Sequence, residues 1–546
     1  MGGPVEVASQ MRGRRLRDAL FAVASGWLLA LAFPKPAWSA CAWFALVPLL
    51  AAIDGSRPAA AFRLGWFCGF SFFLVTLDWI PGTISRVAAL PPLLGAGVLL
   101  PLAATLGLVP GCFAAGVRFW ESRTGRDGMW LATALWTGLE WCRSSLSIPV
   151  PWNLLGYTQV GSLPLLQLTE VTGIYGLGAL IVAVNFALYT AAARRRPASF
   201  HQLRLAGVAL LCLFLYVAGS WRLAEVHRAE PSRRLRVGLV QPAIDPLVKW
   251  DPERRAAVIG VEEALSREAV ARGAQLVVWP EASAPYVFAA DSFYDSYPRS
   301  FVVDRELRDR MIAFVRDLGV PLLFGSPVVE VSALARGEVW NSINRSFLLS
   351  PEGRVVGQYD KMILVPFGEY VPMQPLLSFV DKLVPGVGNF LPGFEPTIFQ
   401  VGDARFAVLI CYEAIFPDFV RGFVHRGAAF LVNQTNDAWF GDTAAPLQHF
   451  AMAIVRAVEN RVPLVRVANT GISAVVDLDG TIETRIPLLA RGVEVVEIGL
   501  REGTTFYTRH GDLFAEVAAL AALALLMYAG WMPAAPRPLA ARVGEP

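Results

Sequence analysis

Charge is what this 546-residue chain has least of: 17% of it is Asp, Glu, Lys or Arg, against about 25% in an average soluble protein. With 55% hydrophobic residues and a mean hydropathy of +0.46, the shortage excludes a disordered, fibrous or wholly soluble protein. A net charge of +3 over this length excludes a concentrated basic face, and with it nucleic acid as a partner. Lysine is scarcer still, with Lys35, Lys249, Lys361 and Lys382 beside 44 Arg. Six cysteines are too few for a disulfide scaffold, and the five histidines (His201, His227, His425, His449 and His510) show no metal-ligand spacing. The sequence also lacks a Gly-x-Ser-x-Gly nucleophile elbow and a phosphate-cradling glycine loop.

The shortage of charge is uneven. From Leu64 to Val117 only Asp78 and Arg86 are charged, whereas roughly Arg222 to Asp512 has the composition of a globular domain. At about 20 apolar residues per bilayer crossing, spans are expected near 18–34, 38–53, 64–81, 89–117, 129–146, 163–192, 205–221 and 513–533. Every second connection is basic: Arg12, Arg14, Arg15 and Arg17 before the first span; Arg57 and Arg63; Arg118, Arg123 and Arg126; Arg194, Arg195, Arg196 and Arg204. Short basic loops stay in the cytoplasm. The expectation is therefore a membrane part (1–221), an extracytoplasmic domain (222–512), and an eighth span with a cytoplasmic tail (513–546). Trp38-Ser39-Ala40-Cys41 imitates a lipoprotein cleavage site, but Trp stands where a small or aliphatic residue is wanted, so the first span is expected to stay uncleaved.

The outer domain alternates β-rich runs with amphipathic ones. Strands are expected at Leu235–Gln241, Gln275–Trp279, Pro321–Phe324, Ser346–Leu349, Arg405–Ile410, Ala429–Asn433, Leu464–Ala468 and Ser473–Asp477, and helices at Arg254–Ala271, Arg305–Leu318, Pro417–Arg426 and Pro446–Asn460. The order argues for a layered α/β fold. Five cysteines (Cys41, Cys68, Cys112, Cys142 and Cys212) fall in or beside spans, where they act as small hydrophobes. Cys411 alone belongs to the outer domain and ends an apolar strand, a setting that presents a nucleophile. Glu281 closes Val277-Val278-Trp279-Pro280-Glu281, where apolar neighbours favour a base, and Lys361 offers a compact charge to an oxyanion. Taken singly, each also has a plain explanation: a packed thiol, a solvated strand-end carboxylate, a survivor of base-composition drift.

Together these residues carry a resemblance. Trp-Pro-Glu at 279–281, Tyr-Asp-Lys at 359–361 with Leu-Val-Pro-Phe-Gly-Glu-Tyr-Val-Pro at 364–372, Ile-Cys-Tyr-Glu at 410–413 and Asn-Gln-Thr-Asn-Asp-Ala-Trp-Phe-Gly at 433–441 resemble the signature blocks of the nitrilase superfamily. With a membrane part in front, and with Pro-Trp-Asn-Leu-Leu-Gly-Tyr at 151–157 and Lys-Trp-Asp-Pro at 249–252, nearly the whole chain resembles the apolipoprotein N-acyltransferase family. The resemblance implies an αββα sandwich outside eight spans. It also implies a Glu281, Lys361 and Cys411 triad, with Trp250, Asn341, Glu369, Tyr412 and Glu413 in support, and no cofactor. The implied reaction is ping-pong. Cys411 takes an acyl chain from a phospholipid, the family's usual donor being phosphatidylethanolamine, and passes it to the α-amine of a diacylated apolipoprotein.

Extracting an acyl chain into water costs about 0.8 kcal/mol per CH₂, so the thiol should be brought to the lipid. Two aromatic or apolar loops suit this role: 281–300, with Tyr286, Phe288, Phe293, Tyr294 and Tyr297, and 371–394, with Leu376, Leu377, Phe379, Leu383, Val384 and Phe390, where Gly386, Gly388 and Gly393 would permit movement. Ordinary loop packing explains them equally well. Asp78, Arg86, Glu140, Arg143 and Glu170 all fall on the outer side, and Arg86, Glu140 and Arg143 are the residues expected at a lipid entrance. Two rivals stand beside this reading. A membrane-tethered amidase or nitrilase would release ammonia from soluble amides, and a transporter would show inverted repeats, which are not seen.

Overall fold

The computed structural model describes residues 4–88, 91–146, 148–193, 198–289, 304–329, 341–371, 390–500 and 503–533. In hydrocarbon an uncharged segment can satisfy its backbone only within itself. The N-terminal part does so in α1 (Pro4–Leu31), α2 (Val47–Ile53), α3 (Pro58–Thr76), α4 (Trp79–Ala88), α5 (Pro92–Leu106), α6 (Leu108–Thr124), α7 (Met129–Ser145), α8 (Tyr175–Ala193) and α9 (Ala198–Arg228). Among the described residues five helices are long and apolar enough to cross a bilayer: Pro58–Thr76, Leu93–Thr124, Tyr175–Ala193, Ser199–Arg228 and Leu513–Trp531. Of the eight expected spans, 38–53 departs most from a helix, forming a 3₁₀ turn at Ser39–Trp43 and then the seven-residue α2, which at 1.5 Å per residue reaches only about 10 Å. The expected span 163–192 becomes helical throughout only from Tyr175, after two short helical turns. The helix expected at 205–221 is longer, continuing to Arg228.

Exposure marks the outer helices as lipid-facing. Leu203, Leu210, Phe214 and Trp221 of α9 stand 64–75% exposed, which is stable only where the surroundings are themselves apolar. At one end of the bundle the basic segments bond to one another and to neighbouring loops. Arg14 donates to the Asp54 carbonyl, Arg118 to that of Ser56 and Arg123 to that of Met532, and Arg204 pairs with Asp127 at 2.7 Å. The opposite end carries a two-sheet domain.

That domain begins at β1 (Arg233–Gln241), followed by α10 (Arg255–Ala271), β2 (Leu276–Val278), α11 (Arg305–Leu318), β3 (Leu322–Val329), β4 (Ser342–Leu349) and β5 (Val355–Asp360). Its second half runs through β6 (Phe399–Val401), β7 (Ala404–Ile410), α12 (Pro417–His425), β8 (Phe430–Thr435), α13 (Ala445–Asn460), β9 (Leu464–Ala468), β10 (Ser473–Val476), β11 (Ile482–Ile486) and β12 (Gly492–Leu500). After it comes α14 (Leu513–Trp531), which meets α7 so closely that a Cβ on Gly138 would lie 2.8 Å from Ala519 Cα.

One sheet has the order β12-β1-β2-β3-β4-β5, the other β11-β10-β9-β8-β7-β6. Each has three parallel strands, β1-β2-β3 or β7-β8-β9, flanked by antiparallel ones. Strand alternation sorts the first sheet's side chains. Val237, Leu239, Leu276, Val278, Leu323 and Leu348 join the core shared with the second sheet, while Val277, Leu322, Phe324 and Leu349 pack under α10 and α11 with Ile259, Met311 and Phe314. With α12 and α13 on the other sheet, the layers are αββα. The eight expected strands and four expected helices are all present; β5, β6, β11 and β12 were not foreseen.

Candidate active site

Strand ends place the site. Cys411 follows β7 and opens the 3₁₀ turn Cys411–Ile415, Glu281 lies three residues beyond β2, and Lys361 follows β5 directly. Cys411 has φ +52°, a left-handed conformation that a non-glycine residue keeps only when its surroundings hold it. Its carbonyl is held by two donors, His449 Nε2 at 3.1 Å and Asn433 Nδ2 at 3.3 Å. Glu413, fully buried, spans the gap between the nucleophile turn and the lysine loop. Its Oε2 accepts from the Ile410 amide at 2.7 Å, and its Oε1 accepts from the Met362 and Ile363 amides and the Tyr359 hydroxyl at 2.6, 3.1 and 2.9 Å. Burial pushes the Glu413 carboxyl up to about 7, against those donors and the Lys361 charge.

The three candidate chemical groups converge. Lys361 Nζ is 2.8 Å from Glu369 Oε1 and 3.5 Å from Glu281 Oε1. Burial alone would lower the ammonium's pKa, but the Glu369 and Glu281 carboxylates outweigh it and hold Lys361 protonated. Burial pushes the Cys411 thiol well above its ordinary range, the Glu281 carboxylate adds to this, and Lys361 opposes it. These influences together favour the thiol over the thiolate, so a reaction at this sulfur would need a base for its proton.

Sequence reasoning missed several supports. Beyond Asn341, the neighbour expected from the sequence, Asn344 donates to Glu281 Oε1 at 2.7 Å. Alternation could have found it, because Asn344 and Ser346 share a β4 face with the inward-packed Leu348. Lys249 is buried and donates to the Glu281 carbonyl at 3.1 Å, while Trp250 caps the short helix Pro246–Lys249 and is half-buried. Gly325 allows the backbone behind Glu281 to approach, since a Cβ there would lie 2.4 Å from the Ala282 nitrogen. Tyr412 stacks edge-on against Phe416.

The histidine spacing in the sequence gives no sign of a metal site, yet in the fold one ligand atom each of Cys411, Asp437 and His449 lie within 4.8 Å of one another. The charge a cation would use is already matched: Arg466 Nη2 is 2.7 Å from Asp437 Oδ2. Burial would raise the Asp437 carboxyl, but Arg466 and His449 hold it at about 2. The donor set thus fits a support for the Cys411 backbone better than a metal centre.

The expected lipid-entrance residues have partners within the protein. Arg86 Nη2 donates to the Phe440 carbonyl at 2.9 Å, and Arg143 Nη1 to those of Val150 and Trp152 at 3.0 and 2.9 Å. Glu140 accepts from the Leu155 amide at 2.8 Å. Glu140 and Arg143 line one cavity with Phe33, Phe73 and Trp136. Of the expected loops, Tyr286 and Phe288 are buried and Phe390 and Gly393 are half-buried. Phe293, Tyr294, Tyr297, Leu376, Leu377, Phe379, Leu383, Val384, Gly386 and Gly388 lie outside the described residues.

Residues 236–506 match the carbon-nitrogen hydrolase family and residues 25–187 the apolipoprotein N-acyltransferase N-terminal domain. An apolipoprotein N-acyltransferase of Geobacter metallireducens is 42% identical over 91% of this chain and 92% of its own length. The chain belongs to the apolipoprotein N-acyltransferase family. Another relative of that name, from Allorhizobium ampelinum, is 35% identical over 88% of this chain and 89% of its own. Among solved structures, an amidase of the nitrilase superfamily from Nesterenkonia AN1 is similar at TM-score 0.36 and 23% identity, covering 52% of this chain and 93% of that one. Within the family's frame, the two domains of this chain are closely joined: Trp79 meets Phe440 at 5.1 Å, Lys35 pairs with Asp442 at 2.9 Å, and Arg461 pairs with Glu170 at 2.7 Å.

Proposed function

We propose that the protein moves an acyl chain from a phospholipid, through a thioester on Cys411, to the N-terminal amine of diacylglyceryl-cysteine apolipoproteins. The observation that carries this reading is the convergence of Glu281, Lys361 and Cys411 at three strand ends above a bundle of apolar helices. Glu281 takes the thiol proton as sulfur attacks the sn-1 ester carbon, and Lys361 lies close to the charge that develops on the carbonyl oxygen. The ester C–O bond breaks, the leaving alkoxide takes the proton from Glu281, and a lysophospholipid departs. The acceptor's neutral α-amine then forms the N–C bond, Glu281 takes its surplus proton, the C–S bond breaks, and the proton returns to sulfur. Glu369 keeps Lys361 in place, and Glu413 fixes the distance between the nucleophile turn and the lysine loop. Phosphatidylethanolamine is the proposed donor.

The two ends of the helix bundle support a topology of eight crossings in a bacterial inner membrane. Pro34, Thr76, Trp152 and Ile174 meet the two-sheet domain, whereas Arg14, Asp54, Arg118, Asp127 and Arg204 gather at the far end. Between those contacts the chain passes from one end to the other at 17–34, 34–54, 57–76, 92–124, 128–146, 175–193, 204–228 and 513–531. Basic residues at the far end put that end in the cytoplasm. The two-sheet domain is then periplasmic, and both termini are cytoplasmic.

The test is a reconstituted transfer: purified protein in detergent, phosphatidylethanolamine and a synthetic diacylglyceryl-cysteine peptide. N-acylated peptide and lysophospholipid should appear in equal amounts. Release of free fatty acid without N-acylated peptide would make the protein a lipid hydrolase.

A further inference from the structure

Two adjacent residues in the first half of α13 face in different directions. Gln448 is buried and joined to the membrane part by four hydrogen bonds: its Nε2 donates to the carbonyls of Pro34 and Thr76 at 2.9 and 3.1 Å, and its Oε1 accepts from the indoles of Trp79 and Trp152 at 3.3 and 2.8 Å. His449 is joined to the nucleophile. Because a carbonyl only accepts, the bond from Nε2 to the Cys411 oxygen requires the hydrogen on Nε2, and Nδ1 lies 3.0 Å from Asp437 Oδ1. The Trp152 ring, whose carbonyl Arg143 holds, packs 5.9 Å from the imidazole. Further along α13, Arg456 donates to the Tyr157 hydroxyl at 3.1 Å, and Glu459 accepts from the Ile174 amide at 2.9 Å. All these partners come from ends of membrane helices or from the loops between them.

An amide in water has many alternatives to four simultaneous partners, so a buried Gln with all of them fixes its helix in translation and rotation. The next residue then has little freedom, and it is one of two donors that hold Cys411 in its left-handed backbone. We propose that the membrane part is a working component of the nucleophile, with Gln448 and His449 as positioning residues that transmit its packing to Cys411. On this view the helices do more than anchor the two-sheet domain, and damage at Trp152 or Gln448 slows chemistry at Cys411 without touching lipid.

The inference rests on Cys411 being the nucleophile, and the test separates the two ideas. Full-length Gln448→Leu, Trp152→Phe, His449→Ala and His449→Gln are purified in detergent, and folding is verified by thermal unfolding. Two rates are measured: alkylation of Cys411 by iodoacetamide, read by peptide mapping, and thioester formation from phosphatidylethanolamine as a function of lipid concentration. Gln448→Leu and His449→Ala should lower both rates about tenfold or more, in kcat and not in KM, as displaced reacting groups do. Trp152→Phe should lower them less, and His449→Gln, which can still donate to the carbonyl, should recover most of the loss. If Gln448→Leu does not fold, Trp152→Phe and the two His449 variants decide the matter. Unchanged rates in the folded variants, or a raised KM at constant kcat, would overturn the proposal. A wild-type protein alkylated at Cys411 that forms no thioester would sink the functional reading, while the alkylation rates would still test the link.

Discussion

The two sheets share one pattern of strand directions, a three-strand parallel centre with one antiparallel strand on one side and two further strands on the other, yet they are used differently. The first presents Glu281 and Lys361, and its helices α10 and α11 bury 7 of 17 and 5 of 14 residues, as amphipathic surface helices do. The second presents Cys411, and its helix α13 buries 14 of 16 residues between the sheet and the membrane part. Matching topology therefore conceals a division of labour. The sheet that carries Cys411 is the one joined through α13 to the membrane helices, while Glu281 and Lys361 come from the other sheet; under the proposed reaction this arrangement brings the sulfur to the lipid.

Breaking each side in turn should give effects of graded size. Removing the proposed nucleophile in Cys411→Ala should abolish acyl transfer altogether, measured as N-acylated peptide per hour, because the other five cysteines all belong to the N-terminal helical part. Glu281→Gln keeps the hydrogen-bonding shape but cannot take a proton. Turnover should fall by about 10²–10⁴, with the thiol still present by titration and the fold intact by circular dichroism. Asn344→Leu removes one donor from the base while leaving Lys361, so kcat/KM should fall about tenfold, near the 1.5–3 kcal/mol of a hydrogen bond to a charged group; an unchanged value would mean that Lys361 alone orients Glu281.

The second sheet carries a pH signature. Asp437 is held at about 2 by Arg466 and His449 against burial, below its ordinary 3.8. A depressed carboxyl contributes stability that is complete above the unfolded value and lost as pH falls through the folded one, so the loss should fall between about pH 4 and 2 and amount to roughly 2 kcal/mol. Thermal unfolding of Asp437→Asn in that window should lack this dependence, at the cost of lower stability at neutral pH, where Arg466 is left buried without its partner. The smallest effect is expected for Arg86→Ala, which removes two exposed hydrogen bonds, to the carbonyls of Phe440 and Gly82; activity should stay within about twofold of wild type.

Much of this molecule was legible in its residues because the strongest signals coincide with the functional ones. The runs that lead to Glu281 and Cys411 are continuously apolar, and each is followed by a residue whose chemistry needs a partner. The strands that escaped notice are edge elements, and two of them are mostly open to water: β5 and β11 bury one residue each, which leaves no apolar alternation to read. Lys361 was found by its rarity, although the strand that presents it was not. The supports escaped for a different reason. Asn344, Lys249, His449 and Gln448 act through contacts 32 to 414 residues away in sequence, and no local pattern records such distances. The broken helix of the second expected span was not legible because composition reports apolarity, whereas Ser39–Ile53 divides into a 3₁₀ turn and a short helix.

The central claim is that Cys411 carries the acyl chain. Intact-mass analysis after incubation with phosphatidylethanolamine tests it most directly. The wild type should gain one acyl group, mapped to the Cys411 peptide and removed by neutral hydroxylamine, and Cys411→Ala should gain none. A folded wild type that stays at its unmodified mass, or an adduct that persists in Cys411→Ala, would contradict the account.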